Sequence, residues 1–352
     1  MLISDVDENR GGIVATALVT GGAGFIGANL VRFLRKERPD WTVVNVDKLT
    51  YAGNLSNLAG VEVGDNYVFI HGDIAEPSVL ERLWSRTEID FVFHLAAETH
   101  VDRSLKDVRP FLRTNIEGTS ALIDICRAAG VKKFVYVSTD EVYGPTPRDS
   151  GVKLGEDAPF RPGNPYSATK AAADLLCQAA SNSFEFPVVI ARPTNNYGSY
   201  QHPEKFLPLM ATNLLTGGQV PVYGKGEQMR DWLYVEDTCR ALLLLAEQGE
   251  VGKAYNIAGT GLIPNLEFAR EVLRILRLDE DCLTFVPDRP GHDFAYSIDD
   301  TRIRSELGFA ERTGLEDGLL RTVYWYKENE TWWRAVREGK FKEYYEQQYP
   351  GL

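Results

Sequence analysis

Six consecutive residues, Ser138-Thr139-Asp140-Glu141-Val142-Tyr143, place a hydroxyl and two adjacent carboxylates directly after an apolar run. Neighbouring carboxyls repel each other's ionisation, so one of the pair can stay an acid while the other acts as a base. Hydride chemistry by itself needs one proton carrier; two carboxylates beside it indicate that a carbon–oxygen bond is broken as well. As plain structure, the same two residues would be a solvated loop or a cap for the next turn. Tyr166 and Lys170 stand four residues apart, a spacing that puts both on one face of a helix. Asn164 and Pro165 just before them suit an N-cap and a first helical position. An ammonium beside a phenol favours phenolate, so Lys170 is expected to lower the Tyr166 pKa and let it take a proton from a hydroxyl. A helical surface pair is the plain alternative.

Gly21-Gly22-Ala23-Gly24-Phe25-Ile26-Gly27 follows an apolar run and opens a helical one; Gly22, Gly24 and Gly27 satisfy G-x-G-x-x-G. Glycine allows a sharp turn and a close backbone approach to a pyrophosphate, whose charge a helix N-terminus stabilises. Asp47 ends the next strand-like run, 20 residues after Gly27, where a carboxylate can hold the adenosine ribose hydroxyls. That carboxylate disfavours a 2′-phosphate, which selects NAD over NADP, with Lys48 as the opposing charge. In His94-Leu95-Ala96-Ala97-Glu98-Thr99-His100, the alanines allow backbone contact with a cofactor and Thr99 can reach the nicotinamide side. His94 and His100 are assigned no catalytic role, and the five histidines never combine with carboxylates at metal-ligand spacing. No metal is expected.

These residues need a scaffold. Thr16 to Thr20, Trp41 to Asp47, Tyr67 to His71, Phe91 to Leu95, Phe134 to Ser138 and Val188 to Arg192 read as strands. Helical segments separate them: Ile26 to Lys36, Val79 to Trp84, Thr119 to Ala129 and one beginning near Tyr166. The alternation implies an α/β, Rossmann-type doubly wound parallel sheet. Beyond Arg192 a smaller, discontinuous α/β lobe is expected. It has helices at Pro208 to Leu215 and Leu266 to Arg277, a loop at Pro287 to His292 and a terminal helix within Tyr324 to Tyr349. Trp232 to Val235 and the helix Asp237 to Glu247 are expected to return to the main sheet. Residues 1–194 with 232–262 then form the dinucleotide-binding domain, and 195–231 with 263–352 the substrate lobe and tail. Polar clusters in that lobe offer ligand groups: Asn195-Asn196, Lys205, and Arg230, whose planar fork suits a diphosphate.

The 352 residues are 44% apolar, enough for a sizeable core, and carry a formal net charge of −12, which argues against nucleic-acid or membrane surfaces. Met1 to Gly12 lacks the apolar core of a secretory signal, and no window reaches a membrane span. Four dispersed cysteines, Cys126, Cys177, Cys239 and Cys282, suit buried thiols rather than disulfides or zinc. A soluble, cytoplasmic protein is expected.

Together these residues resemble the extended short-chain dehydrogenase/reductase superfamily and, within it, the dTDP-glucose 4,6-dehydratases, from about Leu18 to Trp333. TGGAGFIG (Thr20–Gly27) and YSATK (Tyr166–Lys170) mark the superfamily. VDKLTYAGN (Val46–Asn54), AAETHVDRS (Ala96–Ser104), STDEVYG (Ser138–Gly144), NNYG (Asn195–Gly198), RDWLYVED (Arg230–Asp237) and DRPGHD (Asp288–Asp293) complete the pattern, with STDEVYG and the second-lobe motifs the more specific.

The resemblance implies a mechanism. Tyr166, aided by Lys170, deprotonates the glucose C4 hydroxyl while hydride passes to NAD+, and Thr139 hydrogen-bonds the C4 oxygen. Glu141 then removes the C5 proton, Asp140 protonates the departing C6 hydroxyl, water leaves, hydride returns to C6 and a proton is restored at C5. It implies cofactor contacts at Phe25, Ile26, Asp47, Lys48, Leu49, Thr50, Asp73, Ile74, Thr99, Thr114, Tyr166, Lys170 and Asn196. Implied sugar-nucleotide contacts are Thr139, Asn195, Lys205, Arg230, Asn265, Asp288, Arg289, Pro290, Gly291 and His292. Family members are generally dimers through helices like Asn115–Ala129 and Tyr166–Ala180, so a homodimer is expected. Phe294-Ala295, where relatives often carry two basic residues, and Leu262-Ile263, where a glutamate is common, depart from the family near its nucleotide end. UDP-sugar 4-epimerases, a UDP-glucose 4,6-dehydratase and UDP-glucuronate decarboxylases share the scaffold; epimerases generally lack the acidic pair and decarboxylases lack its aspartate. A non-catalytic NAD-binding protein is the reading from another class.

Overall fold

The computed structural model describes residues 15–61, 63–148, 150–288 and 293–338. Seven strands form one parallel sheet: β1 (Thr16–Thr20), β2 (Thr42–Asp47), β3 (Tyr67–His71), β4 (Phe91–His94), β5 (Lys133–Val137), β6 (Val188–Pro193) and an edge strand Ala254–Ile257. Their spatial order is β3-β2-β1-β4-β5-β6 followed by that edge strand. Alternation along each strand divides the core in two. Ala17, Val19, Val43, Val135, Val137, Val189 and Ala191 meet the helices Phe25–Glu37 and Val235–Gln248. Leu18, Val44, Val46, Phe134, Tyr136, Val188 and Ile190 meet Pro77–Trp84, Thr119–Ala129 and Pro165–Phe184. A strand buried on both faces must be apolar throughout, which is why these runs read as continuous hydrophobic segments.

The chain reverses its direction of winding between β1 and β4. Connections leave the sheet on opposite sides there, and the crevice beyond the carboxyl ends of those strands is where such folds accept ligands. His94 ends β4 inside the core: its ring bridges Thr20 Oγ1 (2.7 Å) and Thr119 Oγ1 (2.9 Å), and burial pushes its pKa down to about 3. It is a neutral packing residue.

Past Pro193 the chain builds a second core on Tyr197, Leu207, Met210, Trp232, Phe268 and Leu319, with the Trp232 and Phe268 rings stacked at 4.1 Å. Here β7 (Asn195–Tyr197), β8 (Val220–Tyr223), β9 (Met229–Tyr234), β11 (Leu262–Pro264) and β12 (Leu283–Val286) form two small sheets, the edge strand Ala254–Ile257 of the main sheet being β10. This corrects one expectation. Trp232 lies in β9, which pairs with β7 and β11 and not with the main sheet. The helix Val235–Gln248 and β10 make the return instead. β9 alternates large side chains toward the second core, a packing partner that local sequence does not announce. The aromatic tail, read as one terminal helix, is two within the described residues, Leu315–Glu328 and Glu330–Val336.

Candidate active site

A cavity of about 860 Å³ runs across the carboxyl ends of β1, β2, β4, β5 and β6. At one end the glycine turn leaves β1. Gly21 takes φ +75° and lies so close to Ala96 that a Cβ would sit 2.8 Å from its backbone. At Gly27 a Cβ would meet Gly21 O at 2.1 Å, so no side chain fits while the helix starts this close to the strand. Gly24 is the N-cap of Phe25–Glu37, with no side chain satisfying the first N–H groups, and it lines the cavity. A helix N-terminus open to a pocket suits an anion.

Asp47 ends β2 beside it. Ala23 N–H donates to its Oδ2 (2.9 Å) and Leu49 N–H to its Oδ1 (2.7 Å), fixing the carboxylate at the cavity wall. Burial raises its pKa, against those two N–H donors. Lys48 does not stand as an open cation for a 2′-phosphate: its Nζ is 2.7 Å from Asp73 Oδ2. Gly21, Gly24, Phe25, Ile26, Gly27, Asp47, Lys48, Thr50, Asp73, Ile74, Leu95, Ala96, Ala97, Thr99, Thr114 and Asn196 all line this cavity, together with Tyr166 and Lys170. Leu49 does not; it takes φ +55° and serves through its backbone N–H.

The acidic pair occupies the same cavity. A 3-10 turn, Asp140–Tyr143, starts at Thr139, whose Oγ1 accepts from Glu141 N–H (3.3 Å) and donates to Asp140 Oδ1 (3.2 Å). Asp140 is 3% exposed, and its Oδ2 has no hydrogen-bond partner among the described residues. Burial first, then the neighbouring Glu141 charge, pushes its pKa up to about 8. Asp140 therefore carries a proton at neutral pH. Glu141 is held from the other side: Asn164 Nδ2 donates to its Oε2 (3.4 Å). Asn164 is also the N-cap of Pro165–Phe184, in a capping box with Ser167 (2.9 and 3.2 Å). One residue thus starts the helix that carries Tyr166 and aims the carboxylate facing it.

Tyr166 is buried, with the Thr139 side chain near enough to favour its phenolate. Its pKa runs opposite to the sequence expectation. Burial, then the charges of Glu141 and Asp140, raise it well above the ordinary phenol value, whereas Lys170 has turned away: its Nζ donates to Val137 O (2.6 Å) and lies 4.4 Å from the Tyr136 ring centroid. Burial lowers Lys170 itself to about 8. Helical spacing put the two on one face, but the lysine's reach is set by the β5 carbonyl that sequence spacing does not see.

The expected substrate residues divide. Thr139, Asn195 and Lys205 line the cavity with Asn196. Arg230, Asn265 and Asp288 lie outside its wall, and Asn265 and Asp288 meet at Gln228. Gln228 Nε2 donates to Asp288 Oδ2 (2.6 Å), and Gln228 O accepts from Asn265 N–H (2.8 Å). The Arg230 fork donates to the carbonyls of Met229 (2.7 Å), Phe294 (3.2 Å) and Asp293 (3.1 Å). Arg289, Pro290, Gly291 and His292 lie outside the described residues.

Sequence reasoning missed a buried charged group on the cavity wall. Glu204 Oε1 accepts from Tyr51 Oη (3.0 Å), while its Oε2 faces His100 Nε2 (3.3 Å) and Arg103 (3.7 Å). Glu98 lines the wall nearby, its pKa raised by burial. Both glutamates stand beside residues that were singled out, Thr99 and Lys205, but nothing local marks them as buried. A π-helical stretch, Leu112–Gly118, was also unforeseen; its Asn115 clamps the Glu98 backbone through N–H···Oδ1 (2.8 Å) and Nδ2–H···O (3.0 Å).

Residues 17–258 match the model of the NAD dependent epimerase/dehydratase family. The chain belongs to that family. A curated dTDP-glucose 4,6-dehydratase of Streptomyces niveus is 46% identical, over 91% of this chain and 95% of its own length. The dTDP-glucose 4,6-dehydratase of Streptomyces venezuelae, solved with NAD and TYD bound, superposes with a TM-score of 0.87 at 44% identity, covering 91% of this chain and 99% of that one. The UDP-glucose 4-epimerase of Thermotoga maritima, solved with UDP-glucose, gives 0.83 at 29% identity, over 90% and 99%. Within the family, the fold is common to dehydratases and epimerases, so the difference between them lies in the side chains of the cavity.

Proposed function

We propose that this chain is a dTDP-glucose 4,6-dehydratase, forming dTDP-4-keto-6-deoxyglucose with tightly bound NAD. The observation that carries it is the pairing, in one cavity with Thr139 and Tyr166, of a buried Asp140 that keeps its proton and a Glu141 aimed by Asn164. An epimerase needs only oxidation and reduction at C4; an acid beside a second carboxylate has a use when water is eliminated.

The cavity suits NAD: a glycine turn and helix N-terminus would hold the pyrophosphate and Asp47 the ribose, and small Ala96 and Ala97 leave the cavity wall open to the cofactor. When bound, NAD supplies the hydride acceptor and donor and, while oxidised, a positive charge that opposes the effects raising Tyr166. Tyr166 Oη takes the C4 hydroxyl proton, with Thr139 Oγ1 hydrogen-bonding the C4 oxygen. Glu141 removes the C5 proton, made acidic by the C4 ketone, and Asp140 Oδ2 delivers its proton to the departing C6 oxygen, which leaves as water. When hydride returns to C6, Glu141 gives its proton back to C5, and the 4-keto-6-deoxy product results. Lys205 and Asn195, which line the cavity, bind the sugar nucleotide, whereas the Arg230 fork, outside that wall, is held by backbone carbonyls.

Incubation with dTDP-glucose and with UDP-glucose, side by side, tests the reading. The keto-deoxy product, seen as its alkaline chromophore, is expected with dTDP-glucose; conversion to dTDP-galactose would overturn it. Because Asp140 acts while protonated, turnover is expected to fall as pH rises through about 8. In Asp140→Asn this alkaline limb should vanish, with turnover about 10²-fold lower or less. Persistence of the limb would remove Asp140 as the acid.

The same reading divides the chain into an NAD-binding part, expected as residues 1–194 with 232–262, and a sugar-nucleotide part, expected as 195–231 with 263–352, with one change. Trp232 and Tyr234 pack in the second core and β9 pairs with β7 and β11, so β9 goes with the sugar-nucleotide part. It makes the protein a homodimer, supported by exposed Leu112, Leu175 and Leu176 on two helical segments that pack together. Light scattering that gives a monomer would oppose this. No described helix is long and apolar enough to cross a membrane, and the unpaired cysteines suit the cytoplasm.

A further inference from the structure

Two adjacent tryptophans near the end of the described chain do different work. Trp333 is 1% exposed, and its indole N–H donates to Tyr326 O (2.7 Å), which anchors the Glu330–Val336 helix to Leu315–Glu328. Trp332 is half-buried and lines the cofactor cavity instead. Its indole N–H donates to Asn57 Oδ1 (2.9 Å), and Asn57 Nδ2 donates in turn to Ala23 O (2.8 Å), inside the glycine turn. A two-step hydrogen-bond chain thus joins the C-terminal helix to the backbone that cradles the pyrophosphate.

Tyr200 completes this wall. It also lines the cavity, and its ring packs edge-on against Trp325 (4.7 Å between centroids) and Trp332 (6.1 Å), with the Arg32 guanidinium 4.9 Å from it. Its φ is +66°, an unfavourable region for a tyrosine. Such a conformation persists where surrounding contacts impose it, and it concentrates at ligand clamps.

We propose that Trp332 is the cover over the pyrophosphate end of the cofactor site, a residue whose task is to keep NAD from leaving between turnovers. A cycle that regenerates its cofactor gains from retention. Charge attraction at an open helix N-terminus is weakened by water and salt, and an indole laid over it excludes both. Trp333 holds the helix in place, so Trp332 is free to face the ligand. The inference rests on the NAD reading above.

The test measures NAD retained per protomer after gel filtration, and the rate at which bound NAD is lost to an NAD-scavenging enzyme, in wild type, Trp332→Ala and Trp332→Phe. The alanine variant is expected to lose NAD about tenfold faster or more, and the phenylalanine variant, which keeps a ring but not the N–H, to fall between. Melting of the cofactor-stripped proteins separates retention from scaffold: stripped Trp332→Ala should melt somewhat below stripped wild type, through lost packing on Tyr200 and Trp325, and the gap should widen when both are loaded with NAD. Equal loss rates in wild type and variants would overturn the cover, as would a stripped alanine variant that melts low while still holding NAD. If Trp332→Ala does not fold, equal rates in Trp332→Phe, Trp332→Leu and wild type overturn it. Wild type that binds no NAD would sink the cofactor reading along with this one.

Discussion

Glu141→Gln is expected to stop the reaction after its first half: the sugar is oxidised, the reduced cofactor accumulates, and dehydration slows by about 10²–10⁴-fold. Glutamine preserves size and can still meet Asn164 Nδ2, whose 3.4 Å contact sets the orientation of the side chain. What it loses is the ability to accept the C5 proton. The signature is therefore specific: near-ultraviolet absorbance of reduced nicotinamide should rise on mixing with dTDP-glucose and decay slowly. In deuterated water, exchange at C5 should slow in parallel. Full turnover by this variant would remove Glu141 as the base.

Tyr166→Phe is expected to act earlier and to give the opposite optical result. Removing the phenol deletes the acceptor for the C4 hydroxyl proton, so oxidation itself should slow by about 10²–10⁴-fold, with no rise in reduced cofactor. The fold should be unharmed: the ring stays, and Tyr166 N–H still donates to Ser104 Oγ (3.2 Å). An unchanged reduction signal would refute the assignment. A double variant adds a check, because a block at the first step makes the second substitution silent, so Tyr166→Phe with Glu141→Gln should match Tyr166→Phe alone.

The two variants separate roles that the structure entangles. Asp140, Glu141, Thr139 and Tyr166 share one buried pocket, and each charge acts on the others. Holding Asp140 protonated is what makes the cluster tolerable: one negative charge in a buried site is far less costly than two. The proton that lowers this cost is the one the reaction later uses.

Much of the molecule was legible as sequence because its determinants are local. The strands of the main sheet are buried on both faces and so read as apolar runs; the glycine turn, Asp47 at a strand end, and Asn164-Pro165 ahead of Tyr166 are short-range patterns with direct structural counterparts. The adjacency of Asp140 and Glu141 belongs here too, while the proton-transfer roles proposed for them rest on the family resemblance. Tertiary structure decided what those groups experience. It gave Asp140 its proton through burial, turned Lys170 to the Val137 carbonyl, and raised Tyr166 where helical spacing alone predicted the reverse. It moved β9 out of the main sheet, engaged the Arg230 fork with backbone carbonyls, and brought Trp332 from the far end of the chain to the glycine turn. The physical reason is common to all of these. Residue type and spacing fix what a group can donate, accept or pack, but solvation and the field from distant neighbours exist only once the chain has folded around it.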